Sequence, residues 1–137
     1  LLDGRIAQHA PPEAFYRNPA SRKVARFFGG VNFIPGTAQG GQFHSALGPL
    51  TLAQGASDGD RLLTIRPEAV RLGPGENART ARVTALAFLG TQTRVDLVVD
   101  GVALQALTSP DTASGLALGT DVTISLPPGA LWLLPQD

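Results

Sequence analysis

His9 and His44 are the only imidazoles in the chain, and neither has a carboxylate at a ligand-like spacing. A zinc ion or an acid–base pair needs several donors converging on one point. Both histidines are therefore expected to be structural or exposed. The absence of cysteine removes thiolate metal sites, Cys nucleophiles and disulfides. Ser45, Ser57, Ser109, Ser114 and Ser125 lie in no Gly-x-Ser-x-Gly segment, so the strained elbow that exposes a nucleophilic serine is missing. Asp58 and Asp60 flank Gly59, where their short carboxylates suit a turn. No Gly-x-x-x-x-Gly-Lys-Ser/Thr segment is present, and Lys23 is the sole lysine. The pairs Gly29-Gly30 and Gly40-Gly41 lack the strand-to-helix context of a dinucleotide fingerprint and are read as caps and turns. The aromatic residues do not interleave with arginines along one strand, as a single-strand nucleic-acid platform requires. These residue types predict no catalytic, cofactor or metal site.

The elements that would position such residues fall into two parts. In 1–30 a short strand over 5–8 follows the Asp3-Gly4 turn. A helix then starts at Pro11-Pro12-Glu13, where proline and an early acidic residue suit a first helical turn. A second helix over 21–28 is capped by Ser21, presents Val24, Ala25, Phe27 and Phe28 as an apolar stripe, and stops at Gly29-Gly30. From Val31 helical periodicity gives way to short apolar runs punctuated by Gly, Pro, Asn and Asp. Strands are expected over 31–38, 42–46, 50–53, 61–66, 69–72, 80–89, 91–99, 102–108, 122–126 and 131–134, with loops over 36–41 and 55–59. Asp100-Gly101 is the sharpest hairpin signal, the dipeptide of a type I′ turn. Alternation places Ala81, Val83, Ala85 and Ala87 on one face, with Arg79, Arg82 and Arg94 outward or at the rim. Gly90 interrupts this run where a barrel strand needs a bulge or bend. Phe88 and Leu89 are expected in the core, and Trp132 over the barrel's open end. The expected fold class is mainly β: a sandwich or barrel of short strands over 31–137, in which the break at Gly90 suits an OB-type β-barrel, preceded by the strand and two-helix lead of 1–30.

With 43% hydrophobic and 16% charged residues, the composition is that of a folded protein. The 11 basic and 11 acidic residues cancel, which argues against a phosphate-backbone partner. No apolar run is long enough for a membrane span, and no signal peptide is predicted. The chain contains no methionine and starts at Leu1, from which a piece of a longer protein is expected.

Three segments, in order, carry a resemblance. The first runs Asp3-Gly4-Arg5-Ile6-Ala7-Gln8-His9, then Pro12 to Pro19, then Val24-Ala25-Arg26-Phe27-Phe28-Gly29, with Val31-Asn32-Phe33 following. The second is Ile65-Arg66-Pro67-Glu68-Ala69-Val70-Arg71-Leu72, and the third is Val83-Thr84-Ala85-Leu86-Ala87-Phe88-Leu89-Gly90-Thr91. Together they resemble the C-terminal part of the ATP-binding subunits of ABC importers of the maltose, polyamine and ferric-iron type. On that resemblance 1–30 corresponds to the end of a nucleotide-binding domain and 31–137 to the transport-associated OB (TOBE) regulatory domain. The resemblance implies a non-catalytic regulatory and dimer-supporting role. ATP and Mg would be bound by the parent protein and not by this fragment. The implied partners are a second copy of the ATPase subunit and membrane permease subunits, at the cytoplasmic face of the membrane and without insertion into it. Arg66, Pro67, Glu68 and Gly90 are the motif residues carried over as a possible interface. For Arg66 and Glu68 the plainer reading is a local strand-end ion pair, and for Gly90 a backbone requirement. The alternative is a free-standing OB-type module that binds a small oxyanion.

Overall fold

Short β-branched and apolar runs separated by glycine turns cannot bury their faces singly, so they pair into sheets. The computed structural model describes residues 32–53 and 55–135. The expected strand and helices of 1–30, with His9 and the Gly29-Gly30 stop, lie outside the described residues. In chain order the elements are β1 (Asn32–Gln39), β2 (Gln42–Ser45), β3 (Gly48–Thr51), β4 (Gly59–Ile65), a 3-10 turn (Pro67–Ala69) and β5 (Arg71–Leu72). They continue as β6 (Arg79–Phe88), β7 (Thr93–Val99), β8 (Val102–Thr108), α1 (Pro110–Ala113), β9 (Asp121–Ser125), a second 3-10 turn (Pro128–Ala130) and β10 (Trp132–Pro135). Each of the ten expected strands has its counterpart, and the fold class is mainly β as expected.

The strands form two five-stranded antiparallel sheets, ordered β10-β4-β1-β2-β3 and β5-β9-β6-β7-β8. Adding five to each strand number of the first sheet, and subtracting five from β10, reproduces the second. The registers agree: Asn32 stands opposite Ile65, and extending the Arg79–Ile124 pairing by two residues sets Asn77 opposite Leu126. Trp132 pairs with Thr64 as Arg71 pairs with Ser125. The domain is thus an internal duplication in which each half lends its fifth strand to the other's sheet. One apolar core, drawn from Ile34, Phe43, Leu63 and Ile65 in the first sheet and Val83, Leu97, Leu104 and Ile124 in the second, fills the space between them.

Several local expectations are corrected. The 36–41 loop begins later, because β1 runs through Gly36 to Gln39 and turns only at Gly40-Gly41. Gly36 is required there by close approach: a Cβ on it would lie 2.6 Å from the Phe43 ring and would also strike the His44 carbonyl. The irregularity in β6 falls between Val83 and Ala85, not at Gly90. Beyond it the alternation flips. Leu86 pairs with the buried Val95, whereas Ala85 and Ala87 pair with Asp96 and Arg94. Gly90, with φ of 89°, lies in the β6–β7 turn, a conformation that glycine adopts readily. Phe88 and Leu89 are not core: at the tip of this hairpin they are 71% and 56% exposed. Asp100 and Gly101, both with positive φ, form the expected β7–β8 turn. α1 was not expected, although its Ser109 cap, whose Oγ accepts from Thr112 N at 3.2 Å, and its Pro110 are ordinary helix-start signals.

Candidate functional site

The two sheets meet at two seams, and an asparagine closes each. Asn32, 1% exposed, donates from Nδ2 to the carbonyls of Gln105 at 2.9 Å and Ile65 at 3.1 Å, and its Oδ1 accepts from Gln105 N at 2.8 Å. The carboxamide thereby stands in for one residue of a missing neighbour strand on the edge of β8. Asn77 repeats the arrangement on the edge of β3. Its Oδ1 accepts from Thr51 N at 2.9 Å, and its Nδ2 donates to Thr51 O and Leu126 O, each at 3.0 Å. Asn77 does so with φ of 53°, a left-handed conformation that asparagine tolerates.

Arg79, expected outward or at the rim, reaches across to the β2–β3 hairpin, where Nε donates to Leu47 O at 2.7 Å and Nη2 to Pro49 O. Arg82 and Arg94 do face outward. Arg82 pairs with Asp121 at 3.4 Å on an exposed surface, and Arg94 with Asp96 at 3.2 Å. An exposed pair such as Arg82–Asp121 contributes little to stability, whereas the Arg94–Asp96 pair is half-buried.

The motif residues fall on two turns. Arg66 follows β4 in extended conformation, Pro67 is buried at the first position of the 3-10 turn, and Glu68 is exposed. The turn is closed by Ala69 N donating to Arg66 O at 2.9 Å. Burial pulls the Arg66 guanidinium below its ordinary value by removing solvent from the charged form. Gly90 stands on the β6–β7 turn, where Leu89 N donates to Gln92 O at 2.8 Å beside the exposed Phe88. The structure therefore gives Arg66-Pro67-Glu68 one turn and Gly90 another.

A cavity of about 430 Å³ opens between the β3–β4 connection and the second 3-10 turn, lined by Leu52, Ala56, Pro128, Leu131, Trp132 and Leu133. The β8–β9 connection carries α1, and the described residues of the corresponding β3–β4 connection form no helix. Trp132, expected over a barrel end, forms this wall and also packs with Phe33 against Leu62 and Leu134. Among the described residues no group of three or more His, Asp or Glu side chains could hold a metal, and His44 is an exposed residue of β2.

Sequence reasoning missed Asn32, Asn77 and Arg79 as the residues that tie the sheets. Their only signal is position: each asparagine stands at or just before the strand that opens its half.

The chain is 38% identical to the sulfate/thiosulfate import ATP-binding protein CysA 2 of Chromobacterium violaceum, over 98% of this chain and 40% of that protein. It is 34% identical to the spermidine/putrescine import ATP-binding protein PotA of Ruegeria pomeroyi, over 93% of this chain and 38% of that protein. With the Fe(3+) ions import ATP-binding protein FbpC of Streptomyces coelicolor the identity is 34%, over 74% of this chain and 29% of that protein. The chain thus spans well under half the length of these relatives. Among solved structures, the cytoplasmic molybdate-binding protein ModG shares the fold, with a TM-score of 0.67 at 15% identity, covering 79% of this chain and 98% of ModG. The TOBE domain family matches residues 63–134, which take in the end of β4, all of β5 to β9 and most of β10. With more than half of its residues in that match, the chain belongs to the TOBE domain family.

Proposed function

We propose that the chain is the regulatory end of the ATP-binding subunit of an ABC importer. Residues 1–30 close the nucleotide-binding domain, and 31–137 form the OB-type regulatory domain. The observation that carries this reading is the similarity of 98% of the chain, at 38% identity, to 40% of an import ATP-binding protein. A terminal TOBE domain accounts for that share and leaves the remainder for the nucleotide site. ATP and Mg belong to that remainder, because this chain lacks a phosphate loop and no step of hydrolysis can be derived from its residues. The domain holds two copies of the ATPase subunit together while their nucleotide sites open and close against the permease subunits, at the cytoplasmic face of the membrane. The turns bearing Arg66, Pro67, Glu68 and Gly90 are the surfaces offered to that assembly.

Reading the coding sequence upstream of the Leu1 codon tests the proposal. A phosphate loop and an ABC signature in frame are expected, and an initiator codon within a few residues of Leu1 would overturn it. The 137-residue chain by itself should give no heat on titration with Mg-ATP.

The likeness to ModG favours one second reading, a module that binds a small oxyanion. Calorimetric titration with molybdate, tungstate, sulfate and phosphate distinguishes it, and heat from none of the four removes it.

A further inference from the structure

The duplication supplies an internal control for the outer faces of the two sheets. Cross-strand partners share a face, and alternate residues point to opposite faces. Ile34, Leu63, Ile65 and Leu133 point into the shared core, so Phe33, Leu62, Trp132 and Leu134 lie on the opposite side of the first sheet. The equivalent positions of the second sheet hold Ala78, Thr123, Arg71 and Gly73. One copy of the same framework thus presents a small or polar face to solvent, and the other presents three large aliphatic or aromatic residues beside a tryptophan. Leu62 and Leu134 are 1% and 0% exposed. That is the depth of the core, and it is reached on the outside of the sheet, with Leu134 on the edge strand β10. A sheet face bare to water does not bury leucines so fully.

We propose that this face is the docking surface for the segment that precedes it in the same chain, residues 1–31. The segment joins β1 two residues before Phe33, itself part of the face, so it arrives with no intervening linker. Its effective concentration there exceeds that of any separate partner. It brings the apolar residues Val24, Ala25, Phe27 and Phe28 to the apolar part of the face, whose acidic residue Asp60 stands at its far end, bonded to Thr37. The inference concerns the architecture of this chain and stands whether or not the upstream protein is an ATPase.

Trp132 is the sole tryptophan and stands on this face, where the face borders the cavity. In the full chain, Phe27→Asp with Phe28→Asp is expected to shift its emission to the red and to raise its quenching by acrylamide severalfold, with the β-sheet circular dichroism unchanged. As a control, a tryptophan moved to the equivalent position of the second sheet (Trp132→Phe with Arg71→Trp) should give the same quenching with and without the Phe27 and Phe28 substitutions. Unchanged quenching of Trp132 overturns the proposal. So does protection of Trp132 in the parent chain that falls away on dilution, because that assigns the face to a second copy. If the charged pair unfolds the domain, Phe27→Ala with Phe28→Ala removes ring area without adding charge. This milder pair must move the same signal in the same direction.

Discussion

Asn32 and Asn77 each satisfy both the N–H and the C=O of a residue on an otherwise unpaired sheet edge. Truncating either leaves those groups and a third carbonyl without partners. Since leaving a buried polar group unpaired costs about 1–3 kcal/mol, Asn32→Ala should destabilise the domain by about 2–4 kcal/mol. Asn77→Ala should cost less, about 1–2 kcal/mol, because two of its three bonds are solvent-exposed and water can replace them. Urea midpoints of the two variants check both values, and a loss below about 0.5 kcal/mol for Asn32→Ala would show that the seam is held by packing alone. Neither role was legible in the sequence, where an asparagine before a strand reads as loop punctuation. The partners Gln105 and Thr51 are 73 and 26 residues away, beyond any local pattern. Gly36 was obscured in the same way. The Phe43 ring that crosses it is fixed by the hairpin register, so Gly36→Ala should cost about 1–3 kcal/mol through overpacking.

Strands were the most legible elements, because alternation and glycine punctuation are local: all ten emerged, and 102–108 matched β8 at both ends. What alternation could not show was the bulge inside β6, since an extra residue shifts the phase without changing composition. That shift sets Leu86 opposite the buried Val95 and Ala85 and Ala87 opposite Asp96 and Arg94, although Leu86 itself stays 37% exposed near the hairpin tip. It does not bring Phe88 or Leu89 inside, for the hairpin tip carries both into solvent. The two placements differ in consequence. A core phenylalanine cut to alanine costs about 3–5 kcal/mol, whereas surface truncations usually fall within about 0.5 kcal/mol. Phe88→Ala and Leu89→Ala should therefore leave the unfolding midpoint of the domain almost unmoved. On the proposed function, with the Gly90 turn as an interface, the same two substitutions should weaken subunit association, and sedimentation of the parent protein would read that loss.

The exchange of β5 and β10 decides how the whole molecule can come apart. Each sheet holds four strands from one half and one from the other, and the core between them draws on both. Neither half can be complete without its counterpart, so the duplication should behave as one cooperative unit despite its two-fold plan. The halves were hidden in the sequence because most equivalent positions share only a burial class; Pro67-Glu68-Ala69-Val70 against Pro128-Gly129-Ala130-Leu131 is the clearest remnant. Chain continuity between the halves passes through the Gly73-Pro74-Gly75 stretch, which no strand crosses. A protease site inserted between Pro74 and Gly75 and then cleaved should give two pieces that stay together on a sizing column, because the exchanged strands remain paired across the cut. Thermal unfolding of the uncut domain, followed by Trp132 fluorescence and by circular dichroism, should give a single coincident transition. Two separated transitions, or pieces that part after cleavage, would mean that the halves are independent barrels and that the exchanged strands contribute little to holding them together.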